Sequence, residues 1–201
     1  SEPIAFIDAT INSCVSSVFE TNIHEVPTDF LDERKIEDAI KKCAVNGYNF
    51  DIKSGNHFLS FCQSKKTQNM NLVEHFSDKS AKDKKEGLYP IKGIWYENDI
   101  KVFRGKERWI RYLIGKPAEK FYQLAREMEK RTKEAHRFLA EELLSQKILS
   151  SVIEPHYGMP KENIINIGAF LSPKGRVLPL FTSQGRPIVL FKVSGSKYAI
   201  Q

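Results

Sequence analysis

A long apolar repeat in the second half of the chain restricts the folds that this sequence can adopt. From Pro117 to about residue 149, apolar side chains recur at intervals of three and four residues, which places them on one face of a helix. They are Phe121, Leu124, Ala125, Met128, Ala135, Leu139, Leu143 and Leu144. Because Pro117 suits the first helical turn, we predict one long helix that begins there and packs its apolar face on a core.

Strand patterns lie on both sides of this helix, and a shorter helix precedes it. The shorter helix covers residues 33–45, with Asp29 or Asp32 as its N-cap. The strand candidates are residues 15–23, 57–62, 164–171, 177–181 and 188–193, together with a hairpin over 89–103 that turns at Asn98-Asp99. This order of elements predicts an α/β or α+β fold, in which a mixed sheet packs on one long central helix.

Length and composition fit one globular domain. The 201 residues are 41% hydrophobic and 28% charged, which argues against a disordered or collagen-like chain. A chain of this length can bury a core without disulfides. We therefore expect a single domain over residues 1–201, with a flexible, lysine-rich loop at 78–88. No apolar run approaches the ~20 residues of a membrane span, so no membrane partner is expected.

The three cysteines show no recognisable spacing. Cys14, Cys43 and Cys62 are an odd number, lie far apart and form no C-x-x-C pair, which argues against a disulfide framework or a zinc ribbon. The first residues also lack the pattern of an export signal. A reducing, cytoplasmic location is therefore expected.

The positive charge of the chain is concentrated in one segment. The net charge is +6, whereas residues 101–137 hold twelve Lys or Arg and five Glu, a local charge of +7. Trp109, Tyr112 and Tyr122 interleave with these charges, so the segment offers cations for phosphates beside flat rings for bases. The candidate nucleic-acid-binding residues are Arg104, Arg108, Arg111, Lys116, Arg126 and Lys130.

The same charges also suit an ordinary solvated helix face. In that alternative, Glu127 pairs with Arg131 and Glu129 pairs with Lys133 at a spacing of four residues. Charged segments of this kind are commonly surface without a polyanionic partner.

His57 has the most informative surroundings of the five histidines. The turn at residues 54–56 places His57 at the start of an apolar strand. At such a position the backbone amides of the turn can face an anion, and the imidazole can offer a nitrogen lone pair to a metal. The alternative is a satisfied, half-buried histidine. His75 and His156 also lie at the ends of predicted elements. The remaining two histidines are interpreted as structural or surface residues: His24 and His136.

The turn and strand around His57 resemble a family signature. Ser54-Gly55-Asn56-His57-Phe58-Leu59 is similar to the G-S-G-N-H-F-[LI]-E motif of the RtcB family of RNA 3′-phosphate ligases, in which the asparagine contacts phosphate and the histidine binds manganese. The resemblance implies that Asn56, with Ser54 and Gly55, binds phosphate. It implies that His57 is a metal ligand.

Two further histidines match the places of the family's other metal histidines. His75 lies within residues 72–77, which are similar to the second metal-binding motif, and His156 stands about where the third histidine is expected. The resemblance therefore implies one divalent ion held by His57, His75 and His156. Three neutral imidazoles suit Mn²⁺ or Zn²⁺.

Other pieces of the chain follow the family's order from about residue 20 to residue 200. Residues 33–47 resemble the helix and glycine before the signature, and residues 106–144 resemble the helix after it. Residues 165–169 are similar to the H-R-K-G-A motif, and residues 185–198 are similar to the G-Q-P-V-I-I-P-G-S-M-G tail.

Departures from the family imply a reduced or divergent relative. Ile165 aligns with the histidine that carries guanylate in the family, and an isoleucine cannot form a phosphoramidate. Ser60 replaces the glutamate of the signature, the family's aspartate and cysteine ligands have no counterpart, and the chain is about half the family's length. We therefore expect no GTP-dependent ligation.

These observations leave three functions open. The first is an RtcB-like RNA- or phosphate-binding protein, in effect a pseudoenzyme. The second is a metal-dependent RNA-processing enzyme of phosphoryl transfer, in which the three histidines hold one ion. The third is a non-enzymatic protein-interaction module. A shared ion requires the three histidines to lie within about 10 Å of one another, because ligand bonds are about 2 Å long.

Overall fold

A computed structural model describes residues 2–9, 11–26, 28–52, 55–161, 164–168, 170–172, 190–194 and 197–200. Two helices lie in this part of the chain, α1 (Glu33–Val45) and α2 (Lys116–Leu144). The strands are β1 (Ile4–Phe6), β2 (Val15–Ile23), β3 (Phe58–Gln63), β4 (Met70–Phe76), β5 (Lys101–Arg104), β6 (Trp109–Ile114), β7 (Ile148–Pro155), β8 (Tyr157–Lys161), β9 (Ile164–Ile167), β10 (Phe170–Ser172), β11 (Leu190–Ser194) and β12 (Lys197–Ile200).

The strands form antiparallel sheets. The central sheet has the order β3-β4-β2-β7, and a smaller sheet has the order β1-β6-β5. The remaining described strands pair as β8-β9 and as β10-β12-β11. Every described ladder is antiparallel, so the α+β alternative of the sequence prediction is confirmed.

Helix α1 begins and ends where its sequence predicts. The Asp32 side chain accepts a hydrogen bond of 3.0 Å from the backbone N–H of Arg34, which makes Asp32 the N-cap. Asn46 is the C-cap, and Gly47 follows with a φ of 84°, a left-handed conformation that glycine adopts without steric cost.

Helix α2 is the predicted long helix, but it ends before residue 149. Ser145 has a φ of 54°, which breaks the helix, and Ile148 begins β7 opposite Thr21 of β2. The pairing of β7 along β2 therefore overrides the helical spacing of the last apolar residues. Leu149 remains 64% exposed.

Helix α2 joins two apolar clusters. Leu139 and Leu143 pack in a cluster with Phe76 between the helices and the central sheet. Phe121 and Met128, earlier in the helix, belong to a second cluster under the smaller sheet. Helix α2 therefore packs on both apolar clusters. Each fully buried Leu, Phe or Met contributes about 1.5–3 kcal/mol of transfer free energy.

The predicted hairpin lies further along the chain than expected. Residues 97–99 form a 3₁₀ turn, and β5 and β6 pair from Lys101 opposite Tyr112 to Arg104 opposite Trp109. The loop closes with a hydrogen bond of 3.0 Å from Gly105 N–H to the Arg108 carbonyl. The prediction of a turn at Asn98-Asp99 is wrong: the preceding apolar residues Ile94 and Tyr96 form no strand and are instead buried in the second cluster.

The lysine-rich residues 78–88 pack on the second cluster through buried Ala81 and Leu88. The strand candidate at 177–181 lies outside the described residues. Neither described helix has the length and apolarity that a membrane span requires.

Candidate metal centre

Four candidate ligands lie at one end of the central sheet. Because neighbouring strands are antiparallel, the starts of β2 and β3 and the ends of β4 and β7 meet at this end. Cys14 precedes β2 and His57 precedes β3, whereas His75 lies near the end of β4 and His156 follows β7. These places are adjacent in the order β3-β4-β2-β7. The register sets His75 opposite Ser16, two residues from Cys14.

Three of these side chains form a compact cluster. Cys14 Sγ lies 3.1 Å from Nε2 of His75 and 3.4 Å from Nε2 of His57, and the three atoms all lie within 4.8 Å of one another. Ligand atoms on one tetrahedral zinc stand roughly 3.5 Å apart, given bonds of about 2.0–2.3 Å. Cys14 and His75 are buried and His57 is half-buried. The cluster could therefore hold one metal ion.

His156 lies beside this cluster. Its Nε2 is 2.9 Å from Nε2 of His75, and its backbone N–H donates to the Cys14 carbonyl at 3.1 Å. The imidazole stacks on the Phe170 ring, with ring centroids 5.5 Å apart. His156 is thus held next to the three-residue cluster, as a candidate fourth ligand.

The second nitrogen of each clustered histidine is engaged by the backbone. His57 Nδ1 lies 2.8 Å from the Asp51 carbonyl oxygen and 2.7 Å from Asp51 Oδ1, and His75 Nδ1 lies 3.0 Å from the Asn56 carbonyl oxygen. A proton on Nδ1 satisfies these acceptors. It leaves the Nε2 lone pair directed at Cys14, which is the tautomer that a metal ligand needs.

Burial controls the protonation of the cluster. Burial lowers the pKa of His75. Burial is also the main reason that the pKa of His156 falls to about 3, and the nearby positive charges of protonated His75 and His57 add to the effect. Burial, with a further contribution from the Asp51 charge, raises the pKa of the Cys14 thiol to about 12. At neutral pH His75 and His156 are therefore neutral and ready to bind a cation, whereas the Cys14 thiol must lose its proton when a cation arrives.

The chemistry of the donor set suits one of the two metals that the sequence suggested better than the other. Thiolate and imidazole suit Zn²⁺, whereas Mn²⁺ prefers carboxylate, carbonyl and water oxygens. A sulfur ligand beside two or three imidazoles therefore favours Zn²⁺. Three protein ligands leave a position for a further molecule, whereas a fourth ligand closes a structural site.

Sequence reasoning found the histidines of the cluster and missed Cys14. The cysteine has no neighbour in a recognisable ligand motif, and its closest partners are 43 and 61 residues away in sequence. Only the pairing of β2 with β4 brings it to the histidines.

The predicted phosphate-binding turn lies beside the cluster. Gly55 has a φ of 65°, which requires glycine's freedom. Asn56 is exposed, and its carbonyl oxygen lies against His75. Ser54 lies outside the described residues. Phosphate binding by this turn stays a prediction.

The predicted nucleic-acid-binding residues lie on two elements. Arg104 and Arg108 are exposed on the β5–β6 hairpin, whereas Arg111 is paired with Asp8 at 2.6 Å. The exposed residues on α2 are Lys116, Arg126 and Lys130, of which Lys130 stands 3.9 Å from Glu134.

The two ion pairs predicted along α2 have different outcomes. Lys133 pairs with Glu129 at 2.7 Å as predicted. Arg131 instead pairs with Asp78 at 3.1 Å and donates to Ser80 at 2.9 Å. The alternative partner wins because Asp78 lies on a neighbouring segment that is packed against the helix.

A second polar cluster lies on the opposite face of β4. Glu74 Oε2 is 2.8 Å from Nδ1 of His136, and the Ser17 hydroxyl donates to the same carboxyl group at 3.2 Å. Burial raises the pKa of Glu74 well above its usual value and lowers that of His136 well below. The distance alone would suggest an ion pair, but the dry surroundings favour a neutral acid beside a neutral imidazole. His136, stacked on Phe76, is a structural histidine.

Comparison with protein-family models, with curated proteins and with solved structures finds no match to this chain.

Proposed function

We propose that this protein is an RtcB-like, metal-binding protein whose centre binds a phosphate-bearing ligand such as RNA. The observation that carries the proposal is the mutual approach of Cys14 Sγ and the Nε2 atoms of His57 and His75. A thiol and two imidazoles that point at one another in a buried place, with Nδ1 of both rings engaged, are arranged as metal ligands. The ion that the donors suit is Zn²⁺.

The proposal includes a phosphate ligand because a bound divalent ion attracts anions. The exposed residues Gly55 and Asn56 adjoin His57. They belong to the turn to which the resemblance to RtcB ligases assigns phosphate binding. GTP-dependent ligation is not part of the proposal. Ile165, in β9, packs on the second apolar cluster and has no atom that can carry a nucleotide.

The second candidate is a metal-dependent enzyme of phosphoryl transfer on RNA. One observation favours it: three protein ligands leave an open coordination position, which is the usual arrangement of catalytic zinc. The ion would supply Lewis-acid polarisation of a phosphoryl oxygen. In the non-catalytic proposal, His156 fills the fourth position, and the phosphate is held beside the ion by the turn at Gly55 and Asn56 and is not a ligand of the ion.

Metal binding is tested on the purified chain loaded with Co²⁺ in place of Zn²⁺. We expect one ion per chain and a near-ultraviolet absorption band from the sulfur–cobalt bond. Cys14→Ser should abolish this band, whereas Cys62→Ser, which alters an exposed cysteine, should leave it unchanged. A wild-type protein that binds no metal, or a band that survives Cys14→Ser, would contradict the proposal.

The role of the ion is tested with a 3′-phosphorylated oligonucleotide and inorganic phosphate. We expect the zinc-loaded protein to bind either probe more tightly than the metal-free protein, and His57→Ala to remove the difference. Cleavage of the oligonucleotide by the zinc-loaded wild-type protein would favour the open-site candidate, whereas cleavage that appears only in His156→Ala would indicate that His156 closes the site. Equal affinity with and without zinc would contradict a phosphate ligand at the centre.

A further inference from the structure

Exposed apolar side chains are concentrated on the smaller sheet. Six of the nine large apolar side chains that are well exposed in the described part of the chain lie on β1, β5 and β6: Ile4, Phe6, Val102, Phe103, Trp109 and Ile110. Phe103 is 61% exposed and Trp109 is 67% exposed. Soluble chains seldom gather exposed apolar groups in one place unless that place contacts a partner.

One face of this sheet packs on the core and the other faces solvent. Ala5 and Leu113 are paired across β1 and β6 and are fully buried. Because side chains alternate along a strand, Phe6, Tyr112 and Phe103 lie on the opposite face. We call this the outer sheet face, defined by these three residues. It presents one aromatic ring from each of the three strands.

The hairpin that carries two of these rings is strongly basic. Residues 101–112 contain five Lys or Arg and one Glu, a local charge of +4. Arg111 is occupied by Asp8. The exposed cations are Lys101, Arg104, Lys106 and Arg108. The exposed aromatic side chains of the hairpin are therefore surrounded by positively charged side chains.

A cation and a ring already stack at the tip of the hairpin. The Arg104 guanidinium lies 4.6 Å from the centre of the Trp109 ring, and the register pairs these two residues directly across the strands. Both side chains are exposed, and by the alternation along β5 and β6 they lie on the side of the hairpin opposite Phe103, so the tip offers rings and cations on both of its sides. A guanidinium plane on an indole is one of the platforms on which unpaired bases stack.

We propose that the outer sheet face and the tip of the β5–β6 hairpin bind single-stranded nucleic acid. Unpaired bases stack on exposed rings, and the phosphates between them meet the surrounding cations. A duplex suits the surface less, because its bases are already stacked on one another. A second copy of this chain suits it less as well, because two surfaces of charge +4 repel. The inference adds a binding surface to the proposed function and does not depend on the metal centre.

The proposal is tested by fluorescence anisotropy with a labelled oligouridylate of roughly a dozen nucleotides. We expect Phe103→Ala to weaken binding about tenfold, because stacking on one ring contributes on this scale. Leu149→Ala is the matched control, since Leu149 is 64% exposed but lies on β7, and it should change nothing. Arg108→Ala should lower the salt dependence of log K by about 0.7, the slope of one phosphate contact.

Three results would overturn the inference. Phe103→Ala could bind as tightly as the wild type, a duplex of matched length could bind as tightly as the single strand, or the chain could bind no oligonucleotide and self-associate through the outer sheet face. Sedimentation of wild type and Phe103→Ala detects the last case. Repeating the comparison of wild type and Phe103→Ala in excess chelator separates this inference from the metal proposal, because the loss of affinity in Phe103→Ala should persist in the metal-free protein.

Discussion

Asp51 contacts one ring nitrogen of His57 with two of its oxygen atoms, the side-chain Oδ1 at 2.7 Å and the backbone carbonyl at 2.8 Å. This double contact fixes both the tautomer and the orientation of the imidazole. Its other nitrogen is thereby directed at Cys14. Asp51 is therefore the residue outside the cluster on which metal affinity should depend most.

Asp51→Asn removes the negative charge of the carboxylate beside His57 and should lower zinc affinity roughly 10- to 100-fold, the usual effect of changing the partner of a metal-binding histidine. The affinity is measured by competition with a chromophoric chelator. Ser77→Ala is the control, because the Ser77 hydroxyl donates to Asp51 Oδ1 at 3.2 Å without touching His57. We expect it to have a smaller effect. Wild-type affinity in Asp51→Asn would contradict the positioning role of this carboxylate.

Zinc should stabilise the folded chain. A ligand that binds only the folded state at about 100 times its Kd adds about 2.7 kcal/mol to the free energy of unfolding. Thermal melting with zinc and with excess chelator measures the difference, which should disappear in His75→Ala. An equal zinc effect in wild type and His75→Ala would locate the bound ion elsewhere on the chain.

His136 should make the metal-free protein sensitive to acid. Burial holds the pKa of this histidine well below 6.5 in the folded state, so below about pH 6.5 the unfolded chain binds a proton that the folded chain does not. The contribution of His136 to the free energy of unfolding therefore falls as the pH falls, by about 1.4 kcal/mol per pH unit, whereas the raised pKa of neighbouring Glu74 gives a contribution of the opposite sign. Urea denaturation between pH 7 and pH 5 should show a shallower dependence in His136→Asn. Parallel curves for the two proteins would contradict this account.

Leu139→Ala should destabilise the chain by about 2–5 kcal/mol, because Leu139 is fully buried in the cluster between the helices and the central sheet. Leu149→Ala makes the same chemical change at an exposed site and should cost less than about 0.5 kcal/mol. Chemical denaturation of both variants provides the comparison. A similar loss of unfolding free energy in Leu139→Ala and Leu149→Ala would contradict the burial of α2 in the apolar core.

Local patterns were sufficient to predict the helices. Asp32 caps α1, and the apolar repeat of α2 faces both cores, because capping and helical spacing act between residues that are close in sequence. The end of α2 and the place of the hairpin were missed. Both depend on which strand pairs with which, as when β7 joins β2 after Ser145, and this information is not local.

The same limit applies to the candidate site. The glycine turn drew attention to His57, and the resemblance to the RtcB family implied His75 and His156 as further metal ligands. Cys14 was missed because only the register of β2 with β4 brings its sulfur to these rings. The pairing of Arg131 with Asp78 was missed for a related reason, since 53 residues separate the two.

The spacing of the candidate ligands along the chain has a consequence for the order of folding events. Contacts in the cluster join residues 43, 61 and 81 positions apart, so the chain must close long loops before any two ligands meet. A metal ion present during refolding therefore finds no partial site in an early, locally structured chain. The rate of zinc uptake during refolding should therefore equal the rate at which the four strands of the central sheet reach their native register.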